Sequence, residues 1–232
     1  AICTKRPWPV RPAIARLRRA GAIFLGKTET TPFANNDPAV TRNPWHLEHT
    51  PGGSSSGSAA AVADRMCPAA LGTQTGGSLL RPAAYNGIAN LNTGKAILPF
   101  GGGIGADPFI DRAGIHCRTV KDTAIVLDAL KDPKRGYYDP RDIYTALPKA
   151  LIPQKPYASF AGEKSLRGMR IGIVREFMVK HTPNDATISD QIDREIKTIL
   201  RDKLGAQLFE SVDPLYPDDP TIPNLKPTFQ EA

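Results

Sequence analysis

The sequence predicts an α/β fold, a mixed β-sheet core flanked by helices. Three observations carry this. Short apolar runs recur, at residues 22–25, 69–72 and 170–174. Segments of helical period stand between them, and turns rich in glycine, serine and threonine join the two kinds. Such alternation is what a layered sheet-and-helix domain produces.

Taken in order, residues 12–20 read as a short helix, with Ile14 and Leu17 three apart and Gly21 as its stop. Its cluster of Arg16, Arg18 and Arg19 is read as the solvated face. Residues 22–25 are a buried strand, and 26–45 a long polar loop of the kind that often carries function. Pro51 to Ser58 is a small, hydroxyl-rich loop feeding an alanine-rich helix from Ala59. Residues 69–72 form a strand, 73–78 a tight turn, and 87–91 a second strand-like piece. Gly101 to Gly105 is a glycine-rich turn. Residues 119–130 make a helix capped by Thr119, with Val120, Ala124, Leu127 and Leu130 on one face. Residues 1–232 read as part of a single domain, with 131–164 a surface excursion or linker within it. A strand at 170–174 and an amphipathic helix at 185–204, closed by Gly205, complete the pattern.

The chain has 232 residues, 41% hydrophobic and 23% charged, which suits a globular domain with a sizeable core. It has no apolar stretch long enough to span a membrane, and its first nineteen residues hold six basic side chains rather than a signal core. Cys3, Cys67 and Cys117 are too few and scattered for a disulfide framework or zinc site, which favours a reducing, cytoplasmic setting. The net charge of +7 is spread along the chain, so nucleic acid is not an expected partner.

One motif matches and is rejected. Gly21-Ala22-Ile23-Phe24-Leu25-Gly26-Lys27-Thr28 fits G-x-x-x-x-G-K-T. A phosphate loop requires a preceding strand and a helix opening at the lysine. Here the middle residues are themselves strand-like, and Pro32 follows where that helix should run. The four histidines (46, 49, 116, 181) are dispersed and read as structural or exposed.

Amide hydrolysis needs a nucleophile, a route for its proton, and donors for the oxyanion. Thr73-Gln74-Thr75-Gly76-Gly77-Ser78 ends a strand in a turn whose glycines let successive N–H groups converge, with Ser78 beside them. Gly52 to Ser58 supplies a second serine cluster at a helix start, where the dipole favours negative charge. By themselves these segments fit a plain turn and an N-cap equally well.

Pro51-Gly52-Gly53-Ser54-Ser55-Ser56-Gly57-Ser58-Ala59-Ala60-Ala61-Val62-Ala63 resembles the signature segment of the amidase signature family, and Gly72 to Ser78 is similar to that family's G-T-D-T-G-G-S. Ser54 and Ser78 stand 24 residues apart, the family's own spacing. Gly21 to Thr28, Thr41 to Trp45 and Arg118 to Asp122 match further family pieces in order. The resemblance implies an α/β/α sandwich, incomplete in this chain, and an amidase acting through an acyl-enzyme on Ser78. Ser54, following a cis peptide, would shuttle the proton to a lysine, and N–H groups of Thr75, Gly76, Gly77 and Ser78 would form the oxyanion hole. The two hydroxyls are expected about 2.6–3.2 Å apart. The resemblance implies a small-molecule amide substrate and no metal or organic cofactor.

The sequence departs from the family at four points. No K-D motif occurs in residues 1–20, so the catalytic lysine is expected upstream of residue 1. Gln74 replaces the usual Asp, and Leu80-Arg81 stands where the family's Arg is common one place earlier. Leu91-Asn92-Thr93-Gly94 replaces L-K-P-T. Two other readings remain open: a truncated or degenerate non-catalytic chain or subunit, and the glutaminase subunit of a tRNA-dependent amidotransferase.

Overall fold

The computed structural model describes residues 12–35, 37–94, 97–98, 109–131, 149–162, 165–173, 178 and 180–209. It divides into two compact units, residues 1–162 and 163–232.

The first unit is built on three strands, β1 (Ala69–Gln74), β2 (Ala89–Asn92) and β3 (Arg112–Cys117), in the order β1-β3-β2. Both outer strands run antiparallel to β3, with Gly72 opposite Gly114, Asn90 opposite His116 and Leu91 opposite Ile115. Strand side chains alternate between faces. One face carries Ala69, Leu71, Leu91, Ala113, Ile115 and Cys117 into an apolar core with Leu17, Leu127 and Leu130. Leu17 belongs to α1 (Pro12–Arg19), and the two later leucines to α4 (Val120–Leu130). The opposite face bears Gly72, Gln74, Gly114 and His116, and packs against the start of α2 (Ser56–Ala63) and α3 (Leu80–Asn86). Helices therefore cover both faces of the sheet, as the predicted α/β class requires.

A bare patch on that second face seats Leu79. A Cβ on Gly114 would stand 2.2 Å from Leu79 Cδ1, and one on Gly72 would stand 2.7 Å from Leu79 Cδ2. Only hydrogen at these two paired positions leaves room for the leucine, which is fully buried. Leu79 follows Ser78 directly, so this packing fixes the height of that serine above the sheet.

Several expectations are corrected. Residues 22–25 form no strand and pair with none among the described residues, and Ile23 and Leu25 are 87% and 74% exposed. A strand needs a hydrogen-bonding neighbour, and among the described residues none is beside this segment. Arg16 is not on a solvated face: it is buried and donates from Nη1 to the Leu130 carbonyl at 3.0 Å, closing the C-terminus of α4. Thr119 caps α4 as predicted, accepting the Asp122 N–H at 3.1 Å. The buried residues of α4 are Thr123, Leu127 and Leu130, with Val120 exposed, so its packed stripe begins one turn later than predicted. Strand β1 runs two residues further than expected, and β3 and α3 are additional to the predicted elements. The glycine turn at 101–105 lies outside the described residues, as does most of 131–164.

In the second unit β4 (Arg170–Gly172) pairs in parallel with β5 (Gln207–Phe209). Between them runs α5 (Pro183–Glu195), continued by a wider π-type segment over Ile196–Lys203. Thr182 and Asp185 form a reciprocal capping box at its start. Gly205, at φ 82°, ends it in the left-handed conformation that glycine tolerates.

Candidate active site

The serine cluster and the Ser78 turn meet at the outer edge of β1. Gly52 has φ 75°, and a Cβ there would lie 2.9 Å from Pro82 Cα, so conformation and space both call for glycine. The Gly53–Ser54 peptide is cis. The Ser54 carbonyl accepts the Thr31 N–H at 3.0 Å, and the Ser55 N–H donates to the Ser78 carbonyl at 3.1 Å. These backbone bonds place the two serine segments side by side.

Within the cluster each serine has its own task. Ser55 Oγ accepts the Thr73 N–H and donates to the Thr73 carbonyl, both at 3.1 Å. Ser58 Oγ donates to the Leu71 carbonyl at 2.8 Å and meets Thr28 Oγ1 at 2.6 Å. Ser56 Oγ donates to the Gly52 carbonyl at 2.8 Å. These three hydroxyls bind backbone, and Ser55 makes no side-chain cap on α2. Ser54 and Ser78 differ. Both are buried, at 3% and 5% exposure, and among the described residues neither hydroxyl has a hydrogen-bond partner. The expected bond between them is therefore not formed.

The turn preceding Ser78 is held at both ends and open in the middle. At its far end the buried Gln74 side chain accepts the Leu79 N–H at 2.8 Å and the Leu80 N–H at 3.1 Å through Oε1. Gln74 thus ties the loop together without a charge. At the near end the Thr75 hydroxyl donates to the buried Asp111 carboxylate. Between them, among the described residues, no hydrogen bond is donated by the backbone N–H of Thr75, Gly76, Gly77 or Ser78. Unpaired N–H groups on consecutive residues of a turn form a concavity suited to an anion. Arg81 lies over this turn, its Nε 3.4 Å from where a Gly77 Cβ would be. Asp111 carried no signal in the sequence; its contact depends on β3, which local pattern did not reveal.

Lys27 is exposed, and no helix opens there, so the phosphate-loop match has no structural counterpart. His46, His49 and His181 are exposed, while His116 is fully buried on β3. Burial without a hydrogen-bond partner on either ring nitrogen lowers its pKa to about 4.

A family model described as Amidase matches residues 12–217. The chain belongs to the amidase signature family. Among curated relatives, a glutamyl-tRNA(Gln) amidotransferase subunit from Desulforapulum autotrophicum is 40% identical over 174 residues, covering 72% of this chain and 34% of that protein. Its namesake from Syntrophobacter fumaroxidans is 39% identical over 203 residues, covering 85% of this chain and 39% of its own length. Among solved structures, the native peptide amidase of Stenotrophomonas maltophilia superposes with a TM-score of 0.70 at 32% identity, over 86% of this chain and 41% of that one. An amidase family protein from Bacillus anthracis gives 0.72 at 27% identity, over 87% and 40%. The sequence thus spans about two fifths or less of the length of these amidase-family proteins. No helix among the described residues is long and apolar enough to cross a membrane.

Proposed function

We propose that this chain carries the nucleophile part of an amidase site, hydrolysing a carboxylic acid amide to the acid and ammonia or an amine. The observation that carries this reading is the contrast among the serines. Ser55, Ser56 and Ser58 spend their hydroxyls on backbone, whereas Ser54 and Ser78 keep theirs uncommitted beside unpaired N–H groups. Ser78 Oγ attacks the amide carbonyl carbon while its proton passes to Ser54. The N–H groups of Thr75, Gly76, Gly77 and Ser78 receive the oxyanion, an interaction whose removal typically costs about 10²–10³ in rate. The C–N bond breaks, the leaving amine takes a proton through Ser54, and water hydrolyses the acyl-enzyme. The base at the end of this relay is a lysine with no counterpart in the present sequence. The substrate is a small-molecule amide and the setting the cytoplasm.

A second reading has its own support. The relatives at 39 and 40% identity are amidotransferase subunits, which favours a glutaminase role within a larger assembly.

The test is covalent labelling by a fluorophosphonate probe, read by intact mass beside a Ser78→Ala control. Labelling abolished by Ser78→Ala supports an assembled nucleophile and oxyanion hole. A folded chain that stays unlabelled, both alone and within any longer protein that contains it, leaves a non-catalytic role.

A further inference from the structure

We propose that Asp111 is a positioning residue for the turn that presents Ser78, acting through the Thr75 hydroxyl; this rests on the amide-hydrolysis reading above. The last backbone pair of the β1–β3 ladder is Gln74 with Arg112. One step further, Thr75 faces Asp111, and the ladder continues through side chains instead of backbone: Thr75 Oγ1 donates to Asp111 Oδ1. The substitution matters for the turn. Thr75 is in phase with Leu71 and Thr73, whose main-chain groups face away from β3 toward Ser58 and Ser55, so the side-chain pair is what ties Thr75 to Asp111 while its own N–H stays on the outer side, open to the concavity.

The far end of the turn is fastened independently, by Gln74 Oε1 on two N–H groups and by Leu79 in the glycine patch. Asp111 is the fastening that comes from β3 at the near end, and it is buried at 3% exposure. Loss of this contact would let the donors at 75–77 drift from the oxyanion position, and misplacement by about 1 Å can cost about 10²-fold in rate. Asp111 itself need not touch substrate.

The full chain, with Thr75→Val, Asp111→Ala and the double substitution, tests this by the rate of Ser78 labelling per folded molecule. Each single change is expected to slow labelling about 10- to 100-fold, and the double change no more than either alone. Thr75→Ser and Asp111→Asn, which keep the donor and an acceptor, are expected to recover most of the rate, and Thr75→Val alone carries the loss if the alanine variant does not fold. Multiplicative losses in the double variant, or a lowered Tm with an unaltered labelling rate, overturn the proposal. If the unsubstituted chain is not labelled, the amide-hydrolysis reading fails separately. Positioning is then read from hydrogen exchange at the Arg81 amide, which donates to the Gly77 carbonyl of the turn at 2.8 Å. Equal acceleration there by Thr75→Val and Asp111→Ala supports it, and unaltered exchange overturns it.

Discussion

Ser55 holds Thr73 with a single hydroxyl, accepting its N–H and donating to its carbonyl at 3.1 Å each. Among the described residues β1 is an edge strand, and exposed edges of this kind need cover. Ser55→Ala leaves both backbone groups of the half-buried Thr73 without these partners. The expected loss is about 1–3 kcal/mol, visible as a lowered urea midpoint with an unchanged slope.

Ser54→Ala removes one of the two uncommitted hydroxyls. It leaves Ser55, Ser56 and Ser58 and their backbone bonds untouched, so the thermal midpoint should hardly move. Fluorophosphonate labelling of Ser78 should slow by about 10² or more, the range of a lost proton relay. Labelling as fast as in the unsubstituted chain would remove Ser54 from the relay.

Gly114 and Gly76 should respond in opposite ways to the same substitution. A Cβ at 114 meets Leu79 Cδ1 at 2.2 Å and the Leu91 carbonyl oxygen at 2.7 Å, whereas at 76 it meets nothing within 4 Å. Gly114→Ala should destabilise by about 1–3 kcal/mol or more. Gly76→Ala should stay within about 0.5 kcal/mol of the unsubstituted chain. Calorimetry of the two variants decides this.

His116 makes folding sensitive to acid. Its pKa in the folded chain is about 4, against an ordinary value of 6.5, because burial disfavours the charged ring. Between those values the unfolded chain binds a proton that the folded chain does not. Stability from this source is complete above about pH 6.5 and is lost as pH falls to about 4, up to about 3 kcal/mol in all. About 2 kcal/mol of it should be gone by pH 5. His116→Leu should flatten the dependence of the urea midpoint between pH 7.5 and 5.

What could be read from sequence was what depends on near neighbours. The Thr119 cap, the Gly205 stop and the two serine segments all announce themselves within a few residues. β3 did not, because Gly114 and Arg112 weaken its local strand pattern; the glycine is there for Leu79, which lies on another element. Pro82 obscured α3, although a proline in a helix's first turn costs no hydrogen bond. Arg16 resembled a surface charge until α4 supplied the Leu130 carbonyl. Asp111 meets Thr75 across 36 residues of chain, a contact set by strand register alone.

The edge cover on β1 also sets a phase. Ser55 and Ser58 are three residues apart, nearly one helical turn, and they meet Thr73 and Leu71, two residues apart along a strand. Each residue of an α-helix advances about 100° around its axis. A one-residue insertion between 55 and 58 would swing one hydroxyl off the strand while the other stayed. The spacing of this small motif is therefore indel-intolerant, even where single side chains within it can be exchanged.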